Sequence, residues 1–438
     1  MMTDCKRMRA LVVLSAILVV PAMSVAETLI IQGGTVHPIS SEPFVGHVIV
    51  TDGVITAAGA LAIPFPADAQ MIDASGLHVY PGLVDAMSQL GLVEVNAVAA
   101  TDDQAEMGLY NPHLQAATAI HPSSALIPVA RANGITHTVV APAVDDGVIA
   151  GQAALVNLDG WTVEEMAIDT SVAMVIQWPE IETRRFDFAT FSMKESAFKE
   201  AKEKAEERQN ELREWFEAAK HYQQAEDAGS GRLETDLKLA ALARCLSGEK
   251  PVIFAADSRR DIEAAVEFAE SLELRMILAG GREAWKAKDL LAEKGIPVIL
   301  GIVQSLPRED DEPYDMPFRN PGELAAAGVK IAFASGAGGG FGPGGPHSSR
   351  TTPYEAATAV AFGLSEDDAL KALTLWPAEF LGVGDRLGSI ETGKMGNLII
   401  TDGNPLEITT QVLNLVINGR EVSTDNLHRD LYEKYRAR

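Results

Sequence analysis

Short apolar runs near the two ends of the chain are separated by turn dipeptides, whereas the middle alternates between two periodicities. Residues 28–31, 47–51 and 54–56 read as strands, the last two flanking Asp52 and Gly53, a pair that supplies the positive φ of a tight hairpin. Residues 397–401 and 415–417 repeat the pattern, followed by Asp402-Gly403 and Asn418-Gly419. Strands this short bury little by themselves. The two ends therefore predict one small β domain, a β-sandwich built from residues 27–80 and 385–423, with 424–438 as a C-terminal tail.

Between them, continuous apolar strands precede helical stretches. Residues 251–255 lead to a helix over 260–272, 275–278 to a helix over 283–294, and 297–301 follows. Residues 330–334 lead to helices at 353–364 and 365–380, the latter with Ser365 as N-cap and acidic residues in its first turn. This alternation predicts an α/β fold with a parallel sheet covered by helices, either a barrel or an open doubly wound sheet. Residues 191–245 stand apart. They are dense in Lys and Glu, with Phe198, Ala201, Ala205, Leu212, Trp215, Ala219 and Tyr222 at helical spacing, which predicts a helical hairpin turning near Gly229–Gly231. Without that insertion, residues 81–384 leave about 250 residues, the size of a TIM-like (β/α)8 barrel.

Composition narrows the function. The 438 residues carry a formal net charge of −25, which repels phosphate and excludes a nucleic-acid partner. Cys5 and Cys245 are the only cysteines, too few for a disulfide framework. Lys6, Arg7 and Arg9, the apolar run 10–20 and Ser24-Val25-Ala26 read as a signal peptide over residues 1–26, and no later run is long enough to span a membrane. The expectation is an exported protein, periplasmic where the cell has two membranes.

Tyr80-Pro81-Gly82-Leu83-Val84-Asp85 joins the first β segment to the first barrel strand. It resembles the Pro-Gly-aliphatic-aliphatic-Asp entry of the amidohydrolase superfamily, specifically its imidazolonepropionase-like branch. Residues 111–114 leading to 130–134, 147–152, and 374–378 leading to 388–394 agree with that branch, so the resemblance runs from about residue 28 to 423. It implies a barrel joined to a two-part β-sandwich. It also implies a hydroxide on zinc or another divalent metal that attacks a carbon–nitrogen bond, the metal lowering the pKa of its water to about 7.

The residues such a site needs are not in the expected places. Members of the family carry His-x-His directly after the entry Asp85, where this chain has Met87-Ser88-Gln89. A thioether and a neutral amide do not replace two imidazoles on such an ion. No histidine lies between His221 and His347, so the strands at 251–255 and 275–279, with one His each in relatives, offer Ala255 and Gly280 as nearest equivalents. Ser335-Gly336 stands where relatives place a metal-binding Asp after the last strand. No lysine occurs between Lys6 and Lys194, which excludes a carboxylated-lysine bridge on a strand such as 173–178.

His113, His121, His137 and His347 are dispersed, and His137 reads as a packed strand residue. Scattered single ligands do not reach the roughly 10–16 kcal/mol of a structural zinc site, so no metal cofactor is expected. The glycine-rich loop 336–345 lacks a nucleotide-binding pattern. It either cradles an anion with Arg350 in support or is a mobile loop over the barrel mouth. Asp257, Arg282 and Glu283 fall just past strand ends, where they either line a pocket or cap the following helices. The candidate pocket is thus Asp85, Met87, Gln89, Ala255, Asp257, Gly280, Arg282, Ser335, Gly336, His347 and Arg350. The leading expectation is a pseudoenzyme that binds a small molecule or a partner, either a catalytic paralogue or a second copy of itself. The alternative is an active amidohydrolase that uses Asp85 or Asp257 as general base, or unusual metal ligands.

Overall fold

A computed structural model describes residues 27–60, 69–143, 148–187, 192–229, 234–337 and 345–438. The signal-peptide segment and most of the glycine-rich loop lie outside the described residues. Five strands open the chain: β1 (Thr28–Val36), β2 (Phe44–Thr51), β3 (Val54–Gly59), β4 (Gln70–Asp73) and β5 (His78–Pro81). β1–β2–β3 is an antiparallel meander, and β4 and β5 both pair in parallel with β1 at different points along it. Asp52 and Gly53 form the β2–β3 turn with φ of 50° and 81°, as the dipeptide predicted.

The barrel strands follow: β6 (Leu83–Ser88), β7 (Ile135–Val140), β8 (Ile149–Asn157) and β9 (Ala167–Gln177), then a hairpin of β10 (Arg184–Asp187) and β11 (Ser192–Glu195), and β12 (Val252–Ala256), β13 (Met276–Gly280), β14 (Val298–Leu300) and β15 (Ile331–Phe333). Eight of these make one sheet in the order β15-β14-β13-β12-β9-β8-β7-β6. Beyond the end of β15 the ring is drawn toward β6 where the Gly336 N–H donates to the Met87 carbonyl at 2.8 Å. A TIM-like barrel is therefore present, nearly closed. The last three strands, β16 (Leu398–Thr401), β17 (Val412–Ile417) and β18 (Arg420–Val422), return to the first sheet through antiparallel pairing of β16 with β5. Both ends of the chain thus build one eight-stranded sheet domain.

Side chains alternate along the barrel strands between two apolar layers. Val252, Phe254 and Ala256 face the helical jacket, while Ile253 and Ala255 point into the barrel with Ile277, Ala279, Ile299 and Ala332. Strands buried on both faces need no polar alternation, which is why they read as continuous apolar runs.

Four local expectations are corrected. β8 runs antiparallel to both neighbours, so the sheet is not wholly parallel. Only residues 141–148 separate β7 from β8, too few for a crossover helix but enough for an antiparallel return. The insertion begins with the β10–β11 hairpin, and its helices span Phe198–Asp227 and Leu237–Leu246. The stretch 283–294 opens with a 3-10 turn, Ala284–Ala287, before its α-helix. The helix expected over 365–380 breaks into Glu366–Ala372 and Leu375–Phe380. Pro377 has no N–H to bond back across that break.

Candidate functional site

The C-terminal ends of β6, β12 and β13 and the segment after β15 bring most of the anticipated residues to one mouth. Asp85 is its centre and is wholly buried. Its Oδ1 accepts from the Ser335 N–H at 3.0 Å and, more weakly, from the Met87 N–H at 3.4 Å. Its Oδ2 accepts from the Ser335 hydroxyl at 2.6 Å. Burial pushes this carboxyl above the ordinary range, against the pull of hydrogen bonds from Ser335 and the Met87 N–H. Asp85 therefore acts as a knot between β6 and the chain beyond β15, with its oxygens occupied by neighbours.

Around it the lining is apolar and small. Going toward the mouth, Ile253 gives way to Ala255, Ile277 to Ala279 and Val139 to Ala141, and Met87 packs in the same cluster. The Gln89 side chain lies directly against Gly336, where an added Cβ would sit 2.6 Å from Oε1 and 2.9 Å from Nε2. A side chain at 336 would have to displace the Gln89 carboxamide from this position.

Asp257 and Gly280 share a corner. An added Cβ at Gly280, whose φ is +85°, would meet Asp257 Oδ1 at 2.6 Å, and that oxygen accepts from the Arg282 N–H at 3.2 Å. Burial raises the Asp257 carboxyl despite this bond and the nearby Arg308 and Arg282 guanidinium groups. Glu283 accepts from the Arg259 N–H at 2.7 Å, capping the helix Arg259–Ser271. Glu283 thus caps the helix that precedes it, and Asp257 ties the chain beyond β12 to the chain beyond β13. The Arg282 guanidinium turns away to the Leu306 carbonyl at 3.0 Å.

The remaining candidates separate from this group. His347 is exposed, two residues past Gly345, whose N–H donates to the Ser335 carbonyl at 3.1 Å. The Arg350 guanidinium meets His428 of the C-terminal helix, Leu427–Arg436, at 3.2 Å. His137 is buried beside the Thr136 hydroxyl, and burial lowers it to about 4, consistent with a packed strand residue.

One mouth residue was missed. Glu180, just past β9, accepts from the Asp257 N–H at 3.2 Å. Its carboxyl is pushed up to about 7, first by burial and then by the Asp257 and Asp261 carboxylates, against the nearby Arg308. The criterion that selected Asp257, a first charged residue beyond a strand end, would have found it too.

The sequence profile described as "Amidohydrolase family" matches residues 317–422. Across 90% of this chain and 99% of the other, the fold superposes on the crystal structure of an amidohydrolase from Thermotoga maritima MSB8 with a TM-score of 0.76 and 27% identity. The chain belongs to the amidohydrolase superfamily. Amidohydrolase tasK of Hapsidospora irregularis is 24% identical over 403 residues, 86% of this chain but 40% of that protein. N-substituted formamide deformylase of Arthrobacter pascens is 29% identical over 157 residues, 32% of this chain and 28% of that one. The chain thus spans less than half the length of the curated relatives it matches. Among the described residues, no helix of this amidohydrolase-family chain is long and apolar enough to cross a membrane.

Proposed function

We propose that this amidohydrolase-family chain is a non-catalytic member, exported by its first 26 residues, that uses the barrel mouth to bind a small molecule or partner instead of hydrolysing a carbon–nitrogen bond. The observation that carries the reading is the makeup of the mouth: a methionine, a neutral amide, alanines and a buried Asp85 held by Ser335 and Met87. A divalent ion that activates water needs converging imidazole or carboxylate ligands and one open position. The donor set around Asp85 does not fit such an ion, so no catalytic step is derived through one.

The double substitution Met87→His, Gln89→His tests this. Two imidazoles alone supply too few ligands, so zinc titrated into the untagged variant is expected to bind no more tightly than to the parent. Stoichiometric zinc uptake by the variant would mean that further ligands stand ready on the other strands, and the reading fails.

A second reading, an active hydrolase acting on an amide or cyclic amide, is favoured by one observation. Glu180 has its carboxyl pushed up to about 7 at the mouth, beside Asp257. A general base works when ionised, and such catalysis contributes about 10²–10⁴-fold. On this reading, hydrolysis of formamides or small cyclic amides rises with pH through about 7 and is lost in Glu180→Gln. Absence of any turnover by the parent chain between about pH 6 and 9 dismisses it.

A further inference from the structure

A groove of about 540 Å³ lies where the first turns of the helices Arg259–Ser271, Lys288–Lys294 and Met316–Ala326 meet, and Asp85 is not among its lining residues. Arg259, Lys286, Lys288 and Arg319 line it, against only Asp289 and Glu323. The cations outnumber the carboxylates among the lining residues, while Glu263, Glu283 and Glu312 pair with two of them from outside the lining. Trp285, Pro313 and Met316 supply its apolar lining. The Lys286 ammonium sits 5.2 Å from the Trp285 ring centre.

Arg259, Lys288 and Arg319 hold partly exposed carboxylates that a ligand can displace, whereas Lys286 is fixed by the nearly buried Glu283 and Glu312. Glu323 is shared by Lys288 at 2.6 Å and Arg319 at 3.1 Å, so one carboxylate serves two cations. Arg259 reaches the exposed Glu263 through Nε at 2.7 Å, and Lys286 bridges Glu283 and Glu312. Among the described residues the terminal guanidinium nitrogens of Arg259 make no hydrogen bond, and Arg319 uses only Nη2. Exposed ion pairs contribute about 0–1 kcal/mol, whereas a guanidinium fork binds a carboxylate or phosphate through two parallel bonds. A volume of this size with an apolar lining and a few convergent polar groups matches a small-molecule site.

We propose that this groove binds a small organic anion, a carboxylate or phosphate ester on a flat apolar body, with the anion on Arg319, Lys288 and Arg259 and the body against Trp285 and Met316. The assignment is independent of the barrel mouth. Phenyl phosphate is the probe, with inorganic phosphate alongside it, followed by calorimetry on the full chain. The expected result is saturable, salt-weakened binding of phenyl phosphate, weakened about tenfold in Arg319→Gln and in Trp285→Leu. The Met87→His, Gln89→His variant is expected to bind it unchanged. Inorganic phosphate is expected to bind at least about tenfold more weakly for want of the apolar contact. Since Arg319 is a surface residue, its variant is expected to unfold at the parent's temperature, which keeps the test free of folding defects. Absence of saturable phenyl phosphate binding at millimolar concentration overturns the assignment. So does binding that survives both groove substitutions, and equal affinity for inorganic phosphate removes the claim for an apolar body.

Discussion

Asp85→Ala is expected to destabilise the fold by about 2–5 kcal/mol, because it strips the Ser335 and Met87 N–H groups of a buried acceptor and each orphaned group costs about 1–3 kcal/mol. The Ser335 hydroxyl suffers less, since the Ser88 hydroxyl lies 3.2 Å away. The loss falls where β6 meets the segment after β15, so barrel closure itself weakens. Asp85→Asn keeps an acceptor for the Ser335 N–H and is expected to cost less than alanine. The carboxyl and carboxamide forms also differ in their response to pH. Burial raises the Asp85 pKa in the folded state, so its contribution is complete at low pH and is lost as pH rises through the folded value. Urea unfolding of the parent and of Asp85→Asn from about pH 5 to 8 reads this out. The parent's advantage is expected to narrow, or to change sign in favour of the variant, as pH rises. A gap that widens with pH would mean that Asp85 is held as a stabilised carboxylate, contrary to the role assigned to it.

Phe216→Ala is the second large effect, expected to cost about 3–5 kcal/mol. Phe216 is fully buried on the long helix of the insertion and meets Phe268 edge-on, with ring centres 5.9 Å apart. Phe268 in turn packs edge-on against Trp178 and Phe254 at 5.5 and 6.0 Å, which joins the insertion to β12 and to the end of β9. The Gln209 amide donates to the Pro179 carbonyl at 3.0 Å, and the Tyr110 hydroxyl donates to Glu211 at 2.6 Å. The insertion is thus part of the barrel's outer core despite its highly charged sequence. Chemical unfolding of the variant measures this directly. A loss below about 1 kcal/mol would mean that the hairpin rides on the surface without sharing that core.

Much of this architecture is legible in the sequence because it is written in local signals. Hairpin dipeptides such as Asp52-Gly53 set the sheet domain, alternating strand and helix patterns set the barrel, and the entry segment ending in Asp85 sets where the mouth begins. Strand direction is not local. β8 is buried along its whole length whichever way it runs, so its apolar run cannot report that it is antiparallel. Arg350 lies near the glycine-rich loop in sequence, yet its partner is His428, near the far end of the chain. The packing of Gln89 on Gly336 and the pairing of Glu180 with Asp257 are likewise contacts between distant segments, which no residue spacing encodes. The groove cations Lys288 and Arg319 read as ordinary solvated helix charges until three helix ends bring them together.

Elemental analysis of the untagged chain purified from its own cells tests the central claim most directly. Substoichiometric zinc, manganese and iron are expected, with no change in amide turnover on chelation. One equivalent of any of these metals per chain, removed by a chelator together with hydrolytic activity, would contradict it.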